Sequence, residues 1–175
     1  IRSSWRAKNQ TDAQMLVGIG DLFRLRLREK GECASWSADT TDAVAGEISA
    51  ALNIGAGLAA DYLLHARCLR EDLPTVGAVF AAGDIDYSTF RLVASRTTLI
   101  DDQDVMAAVD TALAAALLRW RSLSRGLIRA RVDRIVARHD HDAVRRRERK
   151  RRDRGIEIWD SGDGLAEIRG FLRNM

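Results

Sequence analysis

The sequence predicts a mainly α-helical protein, a multi-helix bundle with a helix-turn-helix-like pair and a C-terminal β-hairpin. Three observations lead to this fold class. Apolar residues recur at intervals of three and four along most of the chain. Glycines, the single proline and capping residues separate these stretches into helix-sized segments. Past Gly155 the apolar period changes to two, which is the period of a β-strand.

The size of the chain limits the number of domains. A length of 175 residues with 46% hydrophobic residues suits one core, or one core with an appended hairpin. We expect residues 1–154 to form a helical domain with basic C-terminal helices, and residues 155–175 to form a β-hairpin packed on it or the start of a truncated sheet. The chain begins at Ile1 without an initiator methionine or an apolar signal stretch, which suggests a fragment rather than an exported protein.

Three helices are predicted in the first part of the chain. Between residues 10 and 30 the apolar positions share one helix face, and Gly31 ends that helix. Thr40 or Thr41 can cap a second helix, and a break at residues 53–57 separates it from a third. These three segments account for most of the chain before Pro74.

Four more helices follow. Pro74 suits the first turn of a short helix that Gly83 ends. The capping residues expected for the other three helices are Asp86 or Ser88, Asp101 or Asp102, and Ser122 or Ser124. The second of these three is rich in alanine and runs to about Trp120.

The positive charge of the chain is concentrated in residues 119–154, here called the basic limb. It carries 15 Arg or Lys against 5 Asp or Glu, a net charge of +10. The remaining residues, 1–118 and 155–175, carry 13 against 20, a net charge of −7, and are here called the acidic body. Such segregation is typical of a surface that faces a polyanion, and the alternative is a solvated charged helix.

Two sets of side chains in the basic limb are candidates for nucleic-acid contact. Planar guanidinium groups match phosphate oxygens, and neutralised phosphates release counterions, so both sets predict salt-sensitive, sequence-independent binding. The first set is a helical stripe of Arg131, Arg134 and Arg138. The second set is Arg145, Arg146, Arg147, Arg149, Lys150, Arg151, Arg152 and Arg154.

Trp120, between Arg119 and Arg121, could stack on an unpaired base, but we expect it to anchor a helix end in the core.

The segment from Glu47 to Leu63 has helix-turn-helix spacing, in which a second helix would enter the major groove. Base readout needs Arg, Lys, Asn or Gln on that second helix. The residues after the turn offer none of these and add an acid, Asp61. We therefore interpret this pair as scaffold.

No complete catalytic or metal site is recognisable. The segment His139–Asp140–His141–Asp142 resembles a metal site, but adjacent ligands cannot converge on one ion without further partners. His65 near Cys68 is the one nucleophile-like neighbourhood, and we take Cys33 and Cys68 as buried thiols. We predict no cofactor in this chain. Two cysteines are too few for a disulfide scaffold, which favours a cytoplasmic location. We predict no membrane partner, because the longest uncharged run is 13 residues, short of the roughly 18 that a membrane span needs.

An ordered series of motifs resembles a known family. The motifs occupy residues 47–52, 69–74, 81–85 and 159–164. The sequence is similar to the actinobacterial, especially mycobacterial, thirteen-E-twelve repeat proteins, whose shared region is domain-of-unknown-function family 222. That resemblance implies a helical region that precedes an HNH endonuclease module, where a divalent metal would be expected only in the HNH module itself.

The leading hypothesis is a non-catalytic N-terminal domain that binds DNA through the basic limb. The rival is a helical interaction or dimerisation module, in which the limb docks on the acidic body of a second copy or another protein. A third reading, an independent enzyme, requires a metal at His139 and His141.

Overall fold

A computed structural model describes residues 1–30, 37–120, 123–140, 156–160 and 166–170. The described residues form seven helices: α1 Arg2–Lys30, α2 Ser37–Leu52, α3 Ala56–Glu71, α4 Pro74–Ala81, α5 Tyr87–Thr97, α6 Gln103–Arg119 and α7 Arg125–His139. The mainly helical class is thereby confirmed.

Two short strands follow the helices. β1 Ile156–Asp160 and β2 Ala166–Gly170 pair in antiparallel register, with Ile158 opposite Ile168. Their side chains and the rest of residues 155–175 lie outside the described part of the chain. The packing of a hairpin on the helices, and the domain boundary at residue 154, therefore stay predictions.

The core is built around α4, a helix without a charged residue. Phe80 of α4 stacks on Phe90 of α5 with ring centroids 5.3 Å apart, and both rings are fully buried. Helix α4 packs against α1, α3, α5 and α6. Its buried residues are Val76, Gly77, Val79 and Phe80, and this central position suits its apolar composition.

Helix α1 is fixed to the turn between α4 and α5. The amide of Asn9, which is fully buried, donates to the carbonyl oxygen of Gly83 at 3.2 Å, and the Arg6 Nε donates to that of Ala82 at 2.7 Å. Gly83 has a φ of 81°, in the left-handed region that favours glycine. The motif at residues 81–85 is therefore a structural junction between α1 and the core.

Local capping signals located most helix starts. Asp86, Asp102 and Ser124 each accept a backbone N–H from the first turn of α5, α6 and α7, as the sequence predicted. The predicted cap at Thr40 or Thr41 is wrong, because α2 already begins at Ser37 and Thr40 is fully buried inside it. Helix α1 also begins earlier than predicted, at Arg2, because its exposed first turns continue the helix without an apolar face.

A side chain from α6 caps α4. Asp110, 2% exposed, accepts hydrogen bonds from the backbone N–H groups of Thr75 at 2.7 Å and Val76 at 2.8 Å. These two groups belong to the first turn of α4, where backbone donors have no partner within the helix. The buried carboxylate of Asp110 thus gains two hydrogen-bond donors, and the first turn of α4 gains the acceptor that its own helix does not supply.

Helices α2 and α3 meet at a sharp angle. The three residues 53–55 connect them, Asn53 has a φ of 52°, and the two axes are bent by 113°. This angle and connection length lie within the range of helix-turn-helix pairs. In the described part of the chain no single helix is long and apolar enough to cross a bilayer; α2 and α3 reach that threshold only as a bent pair.

Candidate nucleic-acid interface

Helix α7 carries the first part of the basic limb and is held by its inner face. Val132 and Val136 are fully buried in the core. Asp133 lies beside them and accepts two hydrogen bonds from the Arg96 guanidinium of α5. The helix therefore has a fixed rotation about its axis, and this rotation determines which arginines face outward.

The predicted stripe divides into two kinds of residue. Arg134 and Arg138, one helical turn apart, are exposed on the outer face of α7. Arg131 is half-buried, and its guanidinium carbon lies 5.6 Å from the ring centroid of Trp120. Two of the three residues are thus free to meet a phosphate, while the third is engaged by an aromatic ring.

Two further arginines were missed as site residues by the sequence reasoning. Arg125 and Arg129, also one turn apart, are exposed on α7. They belong to the basic limb by charge, but the stripe chosen from sequence spacing did not include them. Spacing alone would not have found them, because Arg125 and Arg129 precede Val132 by seven and three residues and therefore share its side of the helix.

The arginines of the chain differ in whether they form ion pairs. In the acidic body, Arg6, Arg24, Arg26, Arg67 and Arg70 each form an ion pair with an Asp or Glu at 2.7 to 3.1 Å. The exposed Arg2 and Arg28 of α1 form none among the described residues. Within the described residues, Arg125, Arg129, Arg134 and Arg138 form no such pair. Their charge is not compensated locally, and it remains available to an external anion.

The second predicted set, from Arg145 to Arg154, lies outside the described residues. Its role in binding DNA stays a prediction from the sequence. The described part of the basic limb ends at Asp140, the C-cap of α7.

Trp120 is anchored, in line with the interpretation favoured from the sequence. It ends α6 as the C-cap residue and its backbone N–H donates to the carbonyl oxygens of Ala116 and Leu117. Its side chain is half-buried and packs against the core cluster. The indole ties the end of α6 to Arg131 on α7.

The helix-turn-helix-like pair presents a poor surface for base readout. The inner face of α3 is buried at Ala59, Leu63 and Ala66. Its exposed face contains Gly57 and Leu64, the latter 57% exposed, and neither side chain can bond to a base edge. The geometry of a helix-turn-helix is present without the donor chemistry of a reader.

His65 and Cys68 do not form a nucleophilic site. His65 is 7% exposed, and its Nδ1 is hydrogen bonded to the Tyr87 hydroxyl at 2.9 Å. Burial lowers the pKa of His65 below its ordinary value of 6.5. Burial also raises the pKa of the Cys68 thiol to about 12, so the thiolate that a nucleophile requires is not formed at neutral pH.

The described residues bring together no set of three His, Cys, Asp or Glu side chains that could hold a metal ion. His139 donates from Nδ1 to the carbonyl oxygen of Ile135 at 2.9 Å, within its own helix. His141 and Asp142 lie outside the described part. Asp102, near this part of the chain's acidic residues, acts as the N-cap of α6 and not as a metal ligand in the described residues.

Comparison with known proteins places the chain among proteins without an assigned activity. The chain is 33% identical over 174 residues to the uncharacterized protein Rv2100 of Mycobacterium tuberculosis, covering 98% of this chain and 31% of the relative. It is 30% identical to the uncharacterized protein Rv3776, covering 33% of that relative, and 30% identical to an uncharacterized protein in the est 3' region, covering 49%.

The chain thus spans 31% to 49% of the length of these curated relatives. No solved structure matches it. The family model described as "Domain of unknown function (DUF222)" matches residues 3–175. The chain therefore belongs to the DUF222 family.

Proposed function

We propose that this domain is a DNA-holding module that binds the phosphate backbone through the basic limb and contributes no catalytic group. The observation that carries the proposal is that the exposed Arg134 and Arg138 form no ion pair among the described residues and lie within a segment whose net charge is +10. Exposed guanidinium groups on a rigid helix suit phosphate, because their forked donors match its oxygens.

The fixed rotation of α7 supports this function. Val132 and Val136 anchor its inner face, so Arg134 and Arg138 are presented on a surface that need not fold upon binding. A preorganised array loses less conformational entropy on association than one on a mobile segment. The remaining arginines of the limb, from Arg145 to Arg154, would add charge to the same interaction.

Catalysis is proposed to belong to another part of the parent protein. The likeness to thirteen-E-twelve proteins implies an HNH endonuclease module, and the relatives are two to three times longer than this chain. Sequencing the complete parent gene tests this association. A parent protein with no metal-binding histidine–asparagine–histidine motif beyond the shared region would contradict it.

DNA binding is tested by fluorescence anisotropy with a labelled duplex at several salt concentrations. Replacing both Arg134 and Arg138 by Gln removes two phosphate contacts, and we expect the slope of log K against log salt to fall by about 1.8. The matched control replaces Arg2 and Arg28, two exposed arginines of α1, by Gln. The control loses the same charge at a distant surface and should retain the slope.

A second variant tests the rest of the limb by neutralising Arg145, Arg146, Arg147, Arg149, Arg151 and Arg152. We expect this change to weaken DNA binding strongly and to flatten its salt dependence. Affinity that neither variant alters, or an intact domain that binds no DNA at low salt, would remove the basis of the proposal.

An apolar groove favours a second candidate, a helical interaction or dimerisation module. The groove lies between α4 and α6, has a volume of about 430 Å³, and its lining includes Ala78, Val79, Ala115 and Leu118. Leu118 is 60% exposed, and exposed apolar surface is common at protein interfaces.

Light scattering separates this candidate from DNA binding. A dimer that persists without DNA and dissociates when Leu118 is changed to Glu would support an interaction module. A monomer whose DNA affinity is unaffected by Leu118→Glu would leave DNA binding as the function of the described surface.

A further inference from the structure

We propose that the α7 surface selects double-stranded over single-stranded DNA, an inference that rests on the proposed function and narrows its ligand. The argument starts from the aromatic content of the basic limb. Trp120 is the one Phe, Tyr or Trp residue between positions 119 and 154. Proteins that hold single strands stack bases on accessible aromatic rings beside a positive groove.

The ring of Trp120 is already occupied. Its side chain is half-buried against the core, and the guanidinium of Arg131 covers it at 5.6 Å from the ring centroid. A base that stacked where Arg131 lies would displace that guanidinium and lose the cation–π contact. The basic limb therefore offers charge without a platform for an unpaired base.

The geometry of the exposed cations suits a regular array of phosphates. Arg134 and Arg138 are about 6 Å apart along the helix axis, since an α-helix rises about 1.5 Å per residue. Arg125 and Arg129 are also exposed, but their positions lie on the opposite side of the helix, in the sector of Val132 and Val136. A duplex presents its charges at roughly 1.7 Å intervals along its axis, so Arg134 and Arg138 can each reach a phosphate.

Arg131 is consequently removed from the set of expected phosphate contacts. Its role is to hold Trp120, and through it the junction of α6 and α7. Arg134 and Arg138 remain the phosphate contacts of the original stripe. Each has an exposed side chain and no carboxylate partner among the described residues.

The experiment compares a duplex of about 20 base pairs with each of its separated strands, by anisotropy on the intact domain. If Arg134 and Arg138 each contact a phosphate without stacking at about 0.01 M salt, the slopes of about 0.9 and 0.7 per contact predict roughly sixfold tighter binding to the duplex. A duplex preference above about threefold supports the inference, and a smaller preference or tighter binding of single strands overturns it.

Trp120→Leu supplies the second readout. Leu keeps an apolar side chain at this position and removes the aromatic face on which a base would stack. We expect the ratio of duplex to single-strand affinity to change by no more than about twofold, since loss of stacking worth 1 to 3 kcal/mol per base would lower single-strand affinity by about fivefold or more. A selective loss of single-strand affinity would show that Trp120 contacts bases and would overturn the inference.

These outcomes are distinct from failure of the proposed function. A domain that binds neither DNA form fails as a DNA-holding module, and the choice of ligand fails with it. A domain that binds both forms equally retains the proposed function, and only the selection of duplex is lost.

Discussion

Arg96 and Asp133 form a bidentate ion pair that joins α5 to α7. Nε and one terminal nitrogen of Arg96 donate to the two carboxylate oxygens of Asp133, each at 2.5 Å. The side chains are 22% and 26% exposed, so the pair is sheltered from solvent more than the ion pairs of the body. Paired parallel hydrogen bonds fix orientation as well as distance. This contact therefore links the packing of the bundle to the presentation of the α7 arginines.

The ion pair predicts a coupled loss of stability and DNA affinity. Arg96→Leu removes both hydrogen bonds that its guanidinium donates to Asp133, and we expect the free energy of unfolding to fall by about 2 kcal/mol. Urea unfolding measures this change. DNA affinity at a temperature where the variant remains folded should also fall, although Arg96 itself need not touch DNA.

Lys8→Ala is the matched control for the ion pair. Lys8 pairs with Asp12 along one turn of α1, and its side chain is 67% exposed, so solvent screens the pair. We expect little change in stability and none in the salt slope of DNA binding. An equal loss of stability in both variants would mean that the α5–α7 pair has no special role.

Gly83→Ala is expected to destabilise the domain by about 2 kcal/mol or more. The residue has a φ of 81°, and an added Cβ would lie 2.6 Å from the Arg6 Cγ and 2.7 Å from its carbonyl oxygen. Gly46→Ala is the control: Gly46 lies within α2 and has no atom within 4 Å of its Cβ position. It should raise stability by up to about 1 kcal/mol, because alanine favours a helix. Thermal unfolding that ranks the two variants in the opposite order would contradict this account.

Substitutions of Asp110 are expected to lower the stability of the domain by graded amounts. Asp110→Ala removes the acceptor for the N–H groups of Thr75 and Val76, and we expect a loss of about 2 kcal/mol. Asp110→Asn keeps one amide oxygen and should fall between Ala and the original residue. Thr111→Ala, at the exposed neighbouring position, should change stability little. Chemical denaturation tests the order, and an Ala variant as stable as the original would exclude Asp110 as the cap of α4.

The sequence predicted those parts of the fold that depend on neighbouring residues. Gly83, Asp86 and Asp102 act within one helical turn of their own positions, and a local pattern identifies them. The cap of α4 by Asp110 joins residues 34 and 35 positions apart, so no local pattern contains it. The start of α2 was misplaced because Thr40 has a capping side chain but is buried inside the helix.

In the candidate site, too, the sequence predicted features that depend on neighbouring residues and missed those that depend on contacts between helices. Charge composition located the basic limb, and helical spacing found Arg134 and Arg138 on an exposed face. Spacing could not show that Arg131 packs over Trp120, since that contact depends on how α6 and α7 meet. Exposure is a tertiary property, and it therefore had to come from the structure.

His65 predicts a loss of stability in mild acid. Its pKa is lowered by burial, with Arg91 also lowering it and Asp61 opposing the shift, so the unfolded chain takes up a proton more readily than the folded one. Stability contributed by neutral His65 is present above its ordinary pKa of 6.5 and falls as the pH drops below that value, by at most about 1.4 kcal/mol per pH unit. Thermal unfolding between about pH 5.5 and 7.5, above the ordinary range of carboxylates, should show this decline and His65→Gln should flatten it. Tyr87→Phe, which removes the hydroxyl bonded to Nδ1 but keeps the imidazole, should retain the decline. An unchanged slope in His65→Gln would assign the acid sensitivity to another group.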